Sequence, residues 1–189
     1  MNKFQISLIA IAASVLCALP ASAQTARVAS TGGTSPHETT STVVDGNRVT
    51  ITYGRPFTKD PKSGENRKIW GGLVPYGKAW RLGADEATTL ITQQPIAFGD
   101  TTVPAGAYTL YMVPAESGSS KLAISKKIGQ WGVGVDEKND LARVDLKKEA
   151  LDTPVHQLTV GVEKNPAGGG TIKIKWEDTV YSADFTVKK

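Results

Sequence analysis

The strongest constraint on this chain is a period of two. Near the C-terminus Ile172, Ile174 and Trp176 alternate with Thr171, Lys173 and Lys175. Tyr181, Ala183, Phe185 and Val187 then alternate with Ser182, Asp184 and Thr186. Earlier, Val49, Ile51 and Tyr53 alternate with Arg48, Thr50 and Thr52. Successive side chains of an extended strand point to opposite faces, so each run offers one apolar and one polar face. Asp45-Gly46, between Thr42-Val43-Val44 and the Val49 run, is a two-residue hairpin signal. Glu177-Asp178, between the two C-terminal runs, reads as another hairpin turn.

Further strands are expected at 88–93, 95–98, 107–113, 121–125 and 155–163. Gly99-Asp100, Pro104-Ala105-Gly106 and the Gly-rich 165–170 punctuate them. Residues 141–147 have a composition that tolerates helix. The unbroken alternation of Ala142, Val144 and Leu146 with Arg143, Asp145 and Lys147 favours a strand. No long amphipathic helix is evident. The expected fold is therefore all-β: a single antiparallel β-sandwich or flattened barrel of about nine or ten short strands. Trp70 to Thr89 is too rich in Gly and Pro for a helix and lacks strand alternation. It predicts a long ordered loop around residues 66–87.

The first 23 residues read as a secretory signal. Lys3 is the only charge, Ile6 to Leu19 is mostly apolar, and Ala21-Ser22-Ala23 is a small-x-small site before Gln24. That run is shorter than the ~20 residues a membrane-spanning helix needs, so no stable membrane insertion is expected after cleavage. Leu16 before Cys17 argues against a lipid-anchored cysteine. Cleavage between Ala23 and Gln24 would leave a flexible leader, 24–36, and a single β domain, 37–189. It would also remove the one cysteine of the chain. The expected location is periplasmic or secreted.

Composition removes several kinds of chemistry. One cysteine and two histidines leave no zinc finger, iron–sulfur cluster or disulfide scaffold. Lys and Arg number 22 against 18 Asp and Glu, too mixed a balance to imply nucleic-acid binding. No nucleophile elbow, zincin helix, P-loop or dinucleotide fingerprint occurs. The carboxylates Asp136, Glu137 and Asp140 lack calcium-loop spacing. No metal and no cofactor is expected.

What remains is Arg, Asp, Glu and Trp. Trp80, Arg81, Asp85 and Glu86 form the centre of a candidate ligand site, with Arg55, Tyr53, Trp70 and His37 around it. Aromatic rings stack on sugar faces while charged groups hold hydroxyls. Arg81 with Asp85 or Glu86 offers a buried ion pair. His37 is also read as a residue tying down the first strand. His156 shares the parity of Leu158, Val160 and Val162, which places it at the end of an inward strand face. The mixed-charge run Lys59 to Lys68 reads as a solvated loop.

The segments Ser35-Pro36-His37, Tyr53-Gly54-Arg55-Pro56, 68–77, 80–89, 104–110, Gln130-Trp131-Gly132 and Trp176-Glu177 together resemble the bacterial domain of unknown function 2911 family. That resemblance implies a secreted protein with one domain. It implies no activity, substrate or catalytic residue. The family usually shows Asn and Thr where this chain carries Asp85 and Leu82, and a carboxylate in place of an amide at 85 would change the ligand.

Three functions fit these residues. The first is a binding module for a small polar ligand, a sugar or cell-envelope fragment, or for a protein partner. The second is a hydrolase with Glu86 and either Asp85 or His37 as acid and base. Adjacent extended residues point to opposite faces, which counts against Asp85 and Glu86 acting as a pair. The third is a structural envelope protein whose loop closes the core.

Overall fold

The computed structural model describes residues 35–131 and 134–189. The signal segment and most of the leader lie outside them, as do Gly132 and Val133. Nine antiparallel strands form one sheet: β1 (His37–Val44), β2 (Asn47–Gly54), β3 (Thr88–Thr92), β4 (Ile96–Phe98), β5 (Thr101–Val103), β6 (Gly106–Val113), β7 (Ser120–Ser125), β8 (Asp140–Lys164) and β9 (Gly170–Val187). Their order across the sheet is β1-β2-β3-β6-β7-β8-β9-β4-β5. A single 3₁₀ turn, Glu137–Asn139, is the only helical element among the described residues.

The alternation places the core as expected. Val49 and Ile51 are fully buried and Tyr53 nearly so, joined by Leu90, Leu110, Leu122, Ile124 and Val160 from other strands. Each such aliphatic side chain contributes about 1.5–3 kcal/mol by leaving water. Asp45 and Gly46 take positive φ values, 48° and 84°, as a tight hairpin turn requires. That turn is tied to the turn between β8 and β9, because Gly169 N donates to Asp45 Oδ2 at 2.7 Å.

The strands are not uniformly short. Residues 140–164 form one strand of 25 residues, so 141–147 is indeed extended and continuous with 155–163. β9 likewise runs 18 residues through Glu177-Asp178, where a hairpin turn is predicted from sequence. No turn forms there. Glu177 adopts φ 53°, the register with β8 shifts, and the buried set changes from even positions (Ile172, Ile174, Trp176) to odd ones (Tyr181, Ala183, Phe185). Extra residues in a ladder switch the inward face without ending the strand.

The backbone ladder does not close into a complete barrel. The second half of β8 faces the β1–β2 hairpin, and a seam of side chains spans the gap. Thr42 Oγ1 donates to Val162 O at 2.8 Å, and Val160 N donates to the Tyr53 hydroxyl at 2.9 Å. Arg55 Nε donates to Leu158 O at 3.0 Å and its Nη2 to Thr159 Oγ1 at 3.1 Å. At the lower end the backbone takes over: Leu158 N donates to Pro56 O at 3.0 Å and Thr58 N to His156 O at 2.8 Å. His156 itself is exposed and does not cap the inward face. It lies where the β8 register shifts between Val155 and Thr159, so its parity no longer follows that of Leu158.

The long segment between β2 and β3 is ordered by its own burial. Ile69, Val74 and Leu82 are completely enclosed. Trp80 and Met112 exchange backbone hydrogen bonds of 2.7 and 2.8 Å, docking the loop on β6. A mostly irregular segment of this length needs such anchors to hold one conformation.

Candidate functional site

Four aromatic rings gather where the loop meets β9. Trp80 stacks on Trp176 with centroids 5.8 Å apart and planes 19° apart. Trp70 meets Trp80, Trp176 and Tyr181 edge-on at 6.0, 6.4 and 5.0 Å. Trp176 and Tyr181 are fully buried and Trp70 nearly so, whereas Trp80 remains partly exposed. Trp80 is thus the outermost ring of a packed stack, held in place from behind.

In front of it lies a cleft of about 260 Å³. Phe57 and Pro61 from one arm of the loop, Leu73 from another, and Arg67, Arg81 and Asp85 complete its walls. Phe57 and Leu73 are exposed large apolar residues. Arg81 is fixed by backbone carbonyls, its Nη1 lying 3.1 Å from Asp85 O and 3.4 Å from Trp131 O. Arg67 Nη2 donates to Phe57 O, while its buried Nε has no partner among the described residues. Asp85 Oδ2 is also buried and without a partner there.

Close backbone approach holds Asp85 at the cleft. Ala84 N donates to Gly54 O at 3.3 Å. A Cβ on Gly54 would sit 2.1 Å from Ala84 O, so only glycine permits the contact. Leu82 and Asp85 both adopt left-handed backbone, φ 57° and 64°. Aspartate tolerates that region better than most residues and leucine does not. Thr88 Oγ1 donates to Leu82 O at 2.9 Å and helps to hold the conformation.

The predicted residues divide into two groups. Trp80, Arg81 and Asp85 line the cleft, and Trp70 buttresses it from within. His37, Glu86, Tyr53 and Arg55 do not line it. The ion pair expected between Arg81 and Asp85 or Glu86 is absent, because Glu86 turns instead to His37, with 2.6 Å between Oε2 and Nε2. This bond ties the loop to the first strand, in keeping with the structural role read for His37. The Glu86 carboxyl is held below its ordinary range, first by its own backbone N–H and then by His37.

Arg55 and Tyr53 converge on a residue the sequence reading passed over. Glu38 Oε2 accepts from Arg55 Nη1 at 2.7 Å and from the Tyr53 hydroxyl at 2.9 Å. Burial is the main reason the Tyr53 hydroxyl resists ionisation well beyond its usual value. The group belongs to the seam: it joins Glu38 on β1 through Tyr53 and Arg55 to the backbone of β8. Phe57, Arg67 and Leu73 also escaped the sequence reading. Arg67 lies in the mixed-charge run read as solvated, and the backbone pairing of Lys59 with Asn66, with Arg67 N donating to Thr58 O at 3.0 Å, brings it back to the cleft.

Four other hollows lie among the described residues, and none of them holds a tryptophan. A void of about 10 Å³ beneath Arg81 has room for about one water. A wider groove of about 660 Å³ runs outside Phe57 toward His156, with no indole and no arginine in its lining. Among the described residues no group of three His, Cys, Asp or Glu could hold a metal ion, and no helix is long and apolar enough to cross a membrane.

Fold and cleft together define an all-β protein with an aromatic-floored recess beside an open sheet seam. The chain belongs to the DUF2911 family, described as "Protein of unknown function (DUF2911)", whose model matches residues 35–185. No curated protein matches the chain, and no solved structure does.

Proposed function

We propose that this protein is a periplasmic or secreted bacterial binding module that takes a small polar ligand, a sugar or cell-envelope fragment, in the cleft over Trp80. The observation that carries this reading is the partly exposed Trp80 ring, backed by Trp176 and flanked by polar groups that lack partners. An indole held this way offers a flat apolar face at little entropic cost, and Arg67, Arg81 and Asp85 supply hydrogen bonds around it. A volume near 260 Å³ lies at the small end for ligand pockets and suits one sugar ring. The location rests on the N-terminal pattern of Lys3, an apolar run and Ala21-Ser22-Ala23.

The test is a thermal-shift screen of the secreted form against a panel of mono- and oligosaccharides. A ligand that binds only the folded state raises the melting temperature by linkage. The expected result is stabilisation by at least one saccharide that is lost in Trp80→Leu, a variant checked for folding by circular dichroism. Stabilisation that survives Trp80→Leu, or none from any saccharide, overturns the reading.

A further inference from the structure

We infer that the cleft selects an acidic sugar, one whose ring carries a carboxylate, over its neutral counterpart; this deepens the sugar-binding reading and rests on it. The motive is how the fold treats its better-enclosed arginines; Arg48, exposed on β2, bonds through its side chain only to Ser41 Oγ among the described residues, at 3.4 Å. Arg55 is neutralised by Glu38 at 2.7 Å, and Arg143 by Asp140 at 2.7 Å and Glu137 at 2.9 Å. Arg67 and Arg81, the two that line the cleft, form no ion pair among the described residues and bond to backbone carbonyls instead. Those bonds orient each guanidinium and leave other N–H donors of its fork unused. A preoriented planar fork recognises a carboxylate through two parallel hydrogen bonds.

Asp85 is the one carboxylate in the cleft lining, so the two guanidinium groups leave the recess net positive. The Asp85 carboxylate is an acceptor on the cleft wall, which a ring hydroxyl matches as donor. An acidic sugar meets all three demands at once. Its ring face lies on Trp80, its carboxylate meets Arg67 and Arg81, and a hydroxyl reaches Asp85. A neutral sugar would leave both cations unmatched, and a simple organic acid would leave Asp85 without a donor.

The experiment compares methyl glucuronoside with methyl glucoside, which differ at the carboxylate. Each is titrated into the ¹⁵N-labelled protein at fixed ionic strength, following the indole N–H resonance of Trp80. The expected result is binding of the glucuronoside at least about tenfold tighter than the glucoside. Arg67→Gln and Arg81→Gln should each reduce that preference while leaving the melting temperature within a few degrees. Equal affinity for the two sugars overturns the acidic preference and leaves the sugar-binding reading intact. A Trp80 resonance unmoved by both sugars, and by the saccharides of the thermal-shift panel, overturns both. A preference that survives in the double variant Arg67→Gln/Arg81→Gln also overturns the assignment, because the charge would then be read elsewhere.

Discussion

Trp80 and Trp176 lie ring on ring, 5.8 Å between centroids, although one belongs to the loop between β2 and β3 and the other to β9. Their unequal exposure separates two roles. Truncating Trp176 to Ala should cost about 3–5 kcal/mol, the usual penalty for deleting a buried indole. Truncating Trp80 should cost clearly less, because part of its surface already meets water. Urea unfolding of the two variants checks this, and equal losses would mean that Trp80 is ordinary core.

Gly54→Ala should destabilise the fold by about 1–3 kcal/mol, the range for overpacking. The added methyl would fall 2.1 Å from Ala84 O, and the loop through Leu82 and Asp85 would have to withdraw. Chemical-shift changes concentrated at 82–86 in the variant would locate the strain. A variant as stable as the parent would refute it.

Glu86→Gln bears on acid stability. The folded Glu86 carboxyl titrates below its ordinary value of 4.5. Its stabilising contribution is therefore complete above that value and disappears as pH falls through the folded pKa. The parent should be more stable than Glu86→Gln at neutral pH, with the gap narrowing on acidification toward pH 3. Melting curves across that range measure the gap, and a constant difference would show that folding leaves the Glu86 carboxyl at its ordinary value.

Glu38→Gln should be strongly destabilising, because it weakens the charge partner of a largely buried Arg55. Breaking one side of such a pair typically costs about 3–5 kcal/mol. The side chains are 16% and 12% exposed, so water screens the pair a little and the lower end of that range is expected. Replacing both residues, Glu38→Leu with Arg55→Met, should recover part of the loss in a double-mutant cycle.

Asp85→Asn puts an amide where the cleft carries a carboxylate. Asparagine tolerates the left-handed backbone that Asp85 adopts, so the melting temperature should barely move. Ligand preference should change, because an amide offers donors where the carboxylate only accepts. Unchanged selectivity in the sugar titrations would remove Asp85 from the binding group.

Much of the architecture was legible because burial on one face imposes a two-residue period on the sequence. Val49, Ile51 and Tyr53 announce β2, and Asp45-Gly46 announces its hairpin. Local patterns carry no information about whether a change of parity ends a strand or bends it. The switch between Trp176 and Tyr181 is the same in both cases, and only pairing with β8 decides. The parity of His156 misleads for the same reason. In the site, Trp80, Arg81 and Asp85 were legible as an aromatic and charged cluster in one segment. Arg67 was not, because a short irregular hairpin returns it to Phe57 and Thr58. In the seam Glu38 was not, because its role comes from Tyr53 and Arg55 on the next strand and its exit.

The seam between the β1–β2 hairpin and the second half of β8 also has a kinetic consequence. A ladder amide is released only when two strands part, but the Val160 amide is released when a single Tyr53 side chain rotates away. Val160 should therefore exchange its amide hydrogen faster than Lys173 and Lys175, which stand opposite Gly161 and Thr159 in the ladder with β8, although the Val160 side chain is fully enclosed. The lower end of the seam is Pro56 and Phe57, which also form a wall of the cleft. A ligand seated against Phe57 would slow exchange at Leu158 and Val160 without touching either residue.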